Sequence, residues 1–391
     1  MRIKYQPKDF RVEERINLPL KRGSYTYYRV EKWATPTTSV RDRLAAKLKL
    51  SPSAVKFPAL KDAIAVAVQY ASARTRKGGD VIKGKGFVAQ KVGRGSRALK
   101  PRDLEGNQFT LVVRNLAAET AEALGSALEE LGKTGLPNYF DEQRFGSLSD
   151  KGFIGQAIIL RDAELAVCIY LSEPMMGDTK KVLDFKELVR THWGQWGFLL
   201  HQAPRPSNFR SVITFLKDHP HDFRKAVNLI QDRLLSIYLS AYQSWIWNRI
   251  VGRYLEQTVG ADAWLEIAGT QFPLPKPSAG IADLETLSIA LPRLTAYYKG
   301  AVGEAAEAVL AEDGVTIQDF KARILKRVYF SKGERLVWFR PVDVSSEAPV
   351  ADEIFPDRYA VTIAFALDPG CYATLVLKAL AAKLGTTLET R

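Results

Sequence analysis

The sequence predicts an α+β fold interrupted by a mostly helical insertion, and three observations carry that expectation. Up to residue 150 strand-like and helix-like segments are mixed without a regular βαβ repeat. From 160 to 256 the pattern is almost wholly helical, and at 358–384 the strand-then-helix style of the N-terminal part returns. Residues 1–150 and 336–391 are therefore expected to form one domain, with 151–335 inserted into it. At 391 residues and 46% apolar content, the chain can fill more than one sizeable core.

Taken in order, strands are expected at 9–14 and at 24–31, the latter rich in tyrosine and β-branched residues. Val40, Leu44, Leu48 and Leu50 fall near helical spacing, which predicts a helix over 40–50 with Ser39 as its cap. Further strands follow at 64–70, 87–92 and 108–113, then a helix over 117–132 closed by Gly132. In the insertion, Trp193 to Gly197 breaks the helical pattern ahead of a long helix near 226–256. Helices are also expected over Ala301 to Leu310 and Ile317 to Val328, between loops rich in proline and glycine. The chain closes with a strand at 358–366, a turn at Asp368-Pro369-Gly370 and a helix from Ala373 to Leu384.

Charge narrows the partner. A net charge of +13 and a pI near 9.5 favour a polyanion, because Lys and Arg gain affinity by releasing counterions condensed on phosphates. Nine of those thirteen charges come from residues 74–102, where ten basic side chains face one acid, Asp80, amid six glycines. Arg74, Arg76, Lys77, Lys83 and Lys85 open this arm and are expected to track a nucleic-acid phosphate backbone. No apolar run approaches the length of a membrane span, so a membrane partner is not expected.

Other chemistries are thinly represented. Cys168 and Cys371 form no CxxC pair, so neither a disulfide framework nor a zinc site is suggested, and a reducing compartment fits. The N-terminus lacks the apolar core of a signal peptide, which points to the cytoplasm. His219 and His221 have no ligand motif around them, and there is no P-loop, no GxGxxG and no GxSxG elbow. No cofactor and no metal are expected. Acid-base or nucleophilic work then falls to carboxylates.

Asp62 is the first candidate: it opens a short apolar run that ends in the basic arm. A Lys-Asp pair alone is ordinarily a solvated turn. The second candidate is 137–147, where Asn138, Tyr139 and Phe140 precede Gln143 and Arg144, a set able to stack and hydrogen-bond a splayed base. Asn138-Tyr139-Phe140-x-x-Gln143-Arg144-Phe145-Gly146 resembles the signature of the TruD family of tRNA pseudouridine synthases. Lys4-x-x-Pro7-x-Asp9-Phe10-x-Val12-x-Glu14 is similar to the family's N-terminal block, and Leu60-Lys61-Asp62 followed by Gln69 to its catalytic block. Gly106 to Leu111, Ser240 to Asn248 and Pro369 to Thr374 resemble later blocks in the same order. Ala59 departs from the pattern, standing where the family has glycine.

The resemblance implies a curved, mainly antiparallel catalytic sheet, a TRUD-type insertion and a tRNA partner, with uridine 13 of the D arm as target and the chain acting as a monomer. It assigns catalysis to Asp62, by attack on C1′ or through a glycal. By resemblance Phe140 or Phe10 stacks the uracil, Asn138 reads its edge and Tyr372 closes the pocket, with Gln143 and Arg144 in support. Lys4 or Lys61 is the cation beside the Asp62 carboxylate. The alternative of another class is a catalytically silent RNA-binding protein or RNA chaperone using the same basic surface.

Overall fold

A computed structural model describes residues 1–61, 65–75, 78–275 and 281–390. The chain divides into two compact units, one of Met1–Leu136 with Phe339–Arg391 and one of Pro137–Trp338. The segment carrying Asn138 to Ser147, grouped by sequence with the first domain, belongs to the second unit, because its side chains and peptides are bonded to that unit's central helix as described below.

The first unit is built on a sheet of twelve strands among the described residues. Eight carry its main path: β1 (Phe10–Ile16), β2 (Tyr25–Lys32), β3 (Val66–Ala73), β4 (Val81–Gly84), β5 (Phe87–Gly95), β6 (Leu104–Leu116), β7 (Val342–Ser346) and β8 (Tyr359–Leu367). Their spatial order is β7-β8-β6-β1-β3-β2-β5-β4, and every neighbour pair is antiparallel except β1 with β3. The mainly antiparallel sheet that the resemblance implies is thus present; β8 covers the strand expected at 358–366, and β7, which the sequence pattern did not anticipate, pairs beside it.

Helix α1 (Thr37–Lys47) buries Val40, Leu44 and Ala45 against Tyr28 and Val30 of β2, Ala71 and Ala73 of β3, and Phe87 and Ala89 of β5. Truncating a fully buried leucine such as Leu44 to alanine costs about 2–5 kcal/mol at a site of this kind. The helix starts earlier than its apolar spacing suggested. Pro36, extended at φ −61°, is its N-cap in place of Ser39, and Pro is well suited to the boundary of a helix start. Helix α2 (Ala118–Thr134) runs past Gly132 and ends at Gly135, whose φ of +74° is left-handed. Gly132 is instead a packing glycine: a Cβ there would stand 3.0 Å from the Val344 side chain on β7.

The second unit is organised around the 27-residue helix α3 (Asp232–Thr258), whose Tyr242, Ile246, Trp247, Ile250 and Val251 are fully buried. The helix expected from 226 is split. A short helix, Phe223–Val227, stops where the Asn228 amide turns to bond Arg224 O and Ile324 O. The helix expected over Ile317 to Val328 is only a 3-10 turn, Ile317–Lys321, because Ala322 adopts a left-handed φ of +48° and the chain leaves the helical path. Among the described residues no helix is long and apolar enough to cross a membrane.

Candidate active site

Asp62 lies outside the described residues, as do Arg76 and Lys77. The chain that leads into Asp62 is well defined. Parallel pairing of β1 with β3 brings the fully buried Glu14 to the Tyr70 N–H, which donates to Glu14 Oε2 at 2.9 Å. Lys61 Nζ stands 3.5 Å from Glu14 Oε1 and also donates to Asn107 Oδ1 on β6. Gln69 Nε2 donates to Ala59 O at 3.0 Å and to Glu14 Oε1 at 3.4 Å. The Thr37 hydroxyl accepts from the Lys61 N–H at 3.1 Å and donates to Gln69 Oε1 at 2.8 Å. Residues 59 and 61 are therefore held through one carbonyl, one N–H and one ammonium. Burial pushes the Glu14 carboxyl above its ordinary value, and Lys61 with the Tyr70 and Gln69 hydrogen bonds offsets that only in part.

Phe10, on β1, is buried with its edge toward Phe109 of β6 at 6.1 Å, and Lys4 Nζ lies 4.3 Å from its ring centroid. Lys4 itself takes a left-handed φ of +56°. Asp9, one residue earlier, is structural: its carboxylate accepts from Arg114 Nε and Nη2 at 2.9 and 2.8 Å, and Arg114 Nη1 reaches Asp352 at 3.1 Å, all three buried. Tyr372 caps the helix Ala373–Lys383 just after the Asp368 turn. The strand leading to that turn runs so close to β6 that a Cβ on Gly106 would lie 2.5 Å from Leu367 O, which accounts for glycine there.

In the second unit the candidate residues converge on α3. Asn248 is a reciprocal clamp: its Oδ1 accepts from the Phe140 N–H and its Nδ2 donates to Phe140 O, both at 2.8 Å and buried. Arg335 Nε donates to Asn138 O and its Nη2 to Asn138 Oδ1, both at 2.6 Å, while its guanidinium carbon lies 4.2 Å from the Phe140 ring centroid. The Trp247 ring meets Phe140 edge-on at 5.5 Å. Arg144 donates from Nε to Ser244 Oγ at 2.9 Å and its guanidinium lies 5.2 Å from Phe140. Gln143 is exposed on the intervening 3-10 turn. Tyr139 is no stacking residue: it is fully buried, with its hydroxyl on Pro273 O at 3.0 Å, and burial pushes its phenol well above the ordinary value.

Within the basic arm, residues 81–95 fold as a hairpin, β4 with β5, at the sheet edge. Arg74, Lys83 and Lys85 are exposed. Part of the charge counted in the sequence is neutralised locally: Arg97 clamps Asp103 through two 2.7 Å bonds and Lys91 pairs with Asp80 at 3.1 Å.

Arg335, Glu14, Thr37 and Asn248 were not anticipated as site residues. Glu14, Gln69, Asn107 and Ser240 to Asn248 stood inside recognisable blocks, so a signal existed for them; Arg335 and Thr37 had none.

The chain matches the family model for tRNA pseudouridine synthase D (TruD) over residues 1–266 and 286–380. A Methanocaldococcus jannaschii protein named a probable tRNA pseudouridine synthase D 2 is 29% identical over 97% of this chain and 91% of its own. Aquifex aeolicus tRNA pseudouridine synthase D is 27% identical over 97% and 98% of the two chains. A crystal structure from Methanosarcina mazei, solved as a candidate TruD enzyme, superposes with a TM-score of 0.73 at 24% identity, covering 97% of this chain and 92% of that one. Fold and sequence together define an α+β pseudouridine synthase with an inserted domain. The chain belongs to the tRNA pseudouridine synthase D (TruD) family, and by that membership it is an isomerase.

Proposed function

We propose that this enzyme converts uridine 13 in the D arm of tRNA to pseudouridine, with Asp62 as the reacting carboxylate. The bond from C1′ to N1 breaks, the uracil turns, and C5 joins C1′ while the C5 proton leaves and N1 takes one up. The reaction is therefore an isomerisation that consumes no donor and changes no oxidation state. Asp62 starts it by attacking C1′ or by removing a sugar proton to give a glycal.

The observation that carries this reading is the double fixation of Asn138 and Phe140. A uridine drawn out of its stack needs a fixed polar group for the base edge and a fixed aromatic for its face. Arg335 holds the Asn138 oxygen and Asn248 holds both polar atoms of the Phe140 peptide. Lys4 is the cation proposed beside Asp62, with Lys61, held by Glu14 and Asn107, as the alternative. Both candidate stacking rings carry cations, Lys4 at Phe10 and Arg335 and Arg144 at Phe140, and Phe140 or Phe10 stacks the uracil. Uridine 13 itself rests on the resemblance to the family.

The test is Asp62→Asn, which keeps the side-chain shape and removes the nucleophile or base. Isomerisation of unmodified tRNA should be abolished while affinity stays within about tenfold of wild type. Activity within about tenfold of wild type would refute the assignment of Asp62. Pseudouridine mapping in a strain lacking the gene should show position 13 alone converted back to uridine; loss elsewhere would move the target and leave the chemistry standing.

A further inference from the structure

We propose that residues 321–332 of the second unit form a binding track for the sugar-phosphate backbone of tRNA, with Tyr329 as a stacking platform for an unpaired base. The proposal rests on the reading of tRNA as substrate and adds a surface to it.

Over this stretch Lys321, Arg323, Lys326, Arg327 and Lys332 are exposed and no acid interrupts them. Between them Ala322, Ile324, Leu325, Val328 and Phe330 are buried, so an irregular chain is anchored by its apolar members and shows its cations to solvent. Such a segment would cost stability through self-repulsion unless an anion covers it. Tyr329 stands out in the same row at 73% exposed, its hydroxyl resting 3.4 Å from Lys326 O. A basic row with an exposed aromatic inside it is the composition of a single-strand track, in which phosphates meet the cations and a base lies on the ring.

The track is also rigidly placed. Asn228 donates to Ile324 O at 2.8 Å and accepts from the Lys326 N–H at 3.0 Å. At the other end Gln243 Nε2 donates to Ser331 O at 3.0 Å. Gln243 belongs to the same helix, α3, whose Asn248 clamps Phe140. One helix thus fixes both the basic row and the Asn138–Phe140 segment within this unit. Arg327 is partly committed, pairing with Asp232 at 3.2 Å, which leaves Lys321, Arg323, Lys326 and Lys332, and the last three are the charges to alter.

Filter or anisotropy titration of unmodified tRNA against salt tests the track. The triple variant Arg323→Glu, Lys326→Glu, Lys332→Glu should bind at least about tenfold more weakly and lower the slope of log K against log salt by up to about 3 units. Tyr329→Ala should weaken binding about fivefold to a hundredfold, and Tyr329→Phe should restore it, because stacking needs the ring alone. An unchanged slope in the triple variant, with its melting temperature preserved, would overturn the track. So would an equal loss from reversing Lys180, Lys181 and Lys217, three exposed cations of the same unit, since net charge alone would then explain it. If wild-type protein binds but does not isomerise any tRNA, the proposed function fails, while the titration still decides whether this row meets RNA.

Discussion

Glu14 illustrates how one buried carboxylate shapes a site without being exposed to it. It receives the Tyr70 N–H, Gln69 and Lys61, and through the last two it steadies residues 59 and 61, the approach to Asp62. Because burial raises the Glu14 pKa, the folded state holds its proton more tightly than the unfolded chain does. Folding stability from this group is therefore greatest at low pH and falls as pH rises from the ordinary glutamate range, about 4.3, through the raised value. Glu14→Gln removes that slope: the stability of wild type relative to the variant should decline as pH rises above the ordinary glutamate range in paired urea melts. A difference independent of pH would show Glu14 to be ionised equally in both states. The same variant should lower turnover of tRNA by about tenfold with affinity little changed, since Gln cannot hold the Lys61 ammonium as a carboxylate does.

At the level of elements, helix α3 satisfies backbone groups that the 138–140 segment cannot satisfy for itself. Residues 138–140 form neither a helix nor a long strand, so their buried peptide groups must be satisfied from elsewhere. Asn248 meets two of them and Arg335 meets the Asn138 and Tyr139 carbonyls. Asn248→Leu keeps the volume and strands one N–H and one C=O in the interior, so it should destabilise the protein by about 2–4 kcal/mol in urea unfolding. A loss below about 0.5 kcal/mol would mean that the peptide finds other partners.

Across the whole molecule, the net charge of +13 is neither evenly spread nor all available. Asp103 and Asp80 neutralise two cations of the 74–102 arm, whereas Arg74, Lys83 and Lys85 face solvent on and beside the β4–β5 hairpin. Reversing those three to glutamate should lower the tRNA salt slope by up to about 3 units. An unaltered slope would show that the hairpin points away from RNA.

The sequence by itself determined the α+β class, the return of the C-terminal strand and helix to the first unit, and the blocks around Asp62, Asn138 and Tyr372. These were legible because alternation, helical spacing and short motifs are local properties of the chain. The structure alone decided that Pro36 rather than Ser39 opens α1, that Gly135 rather than Gly132 ends α2, and that the chain after Lys321 leaves the helix. The last two are set by left-handed backbone angles, at Gly135 and Ala322, that spacing does not encode. Arg335, far from Asn138 in sequence, and Thr37, far from Gln69, entered their networks through packing. Which distant donor satisfies a buried acceptor depends on how the elements pack, and only the tertiary structure fixes that.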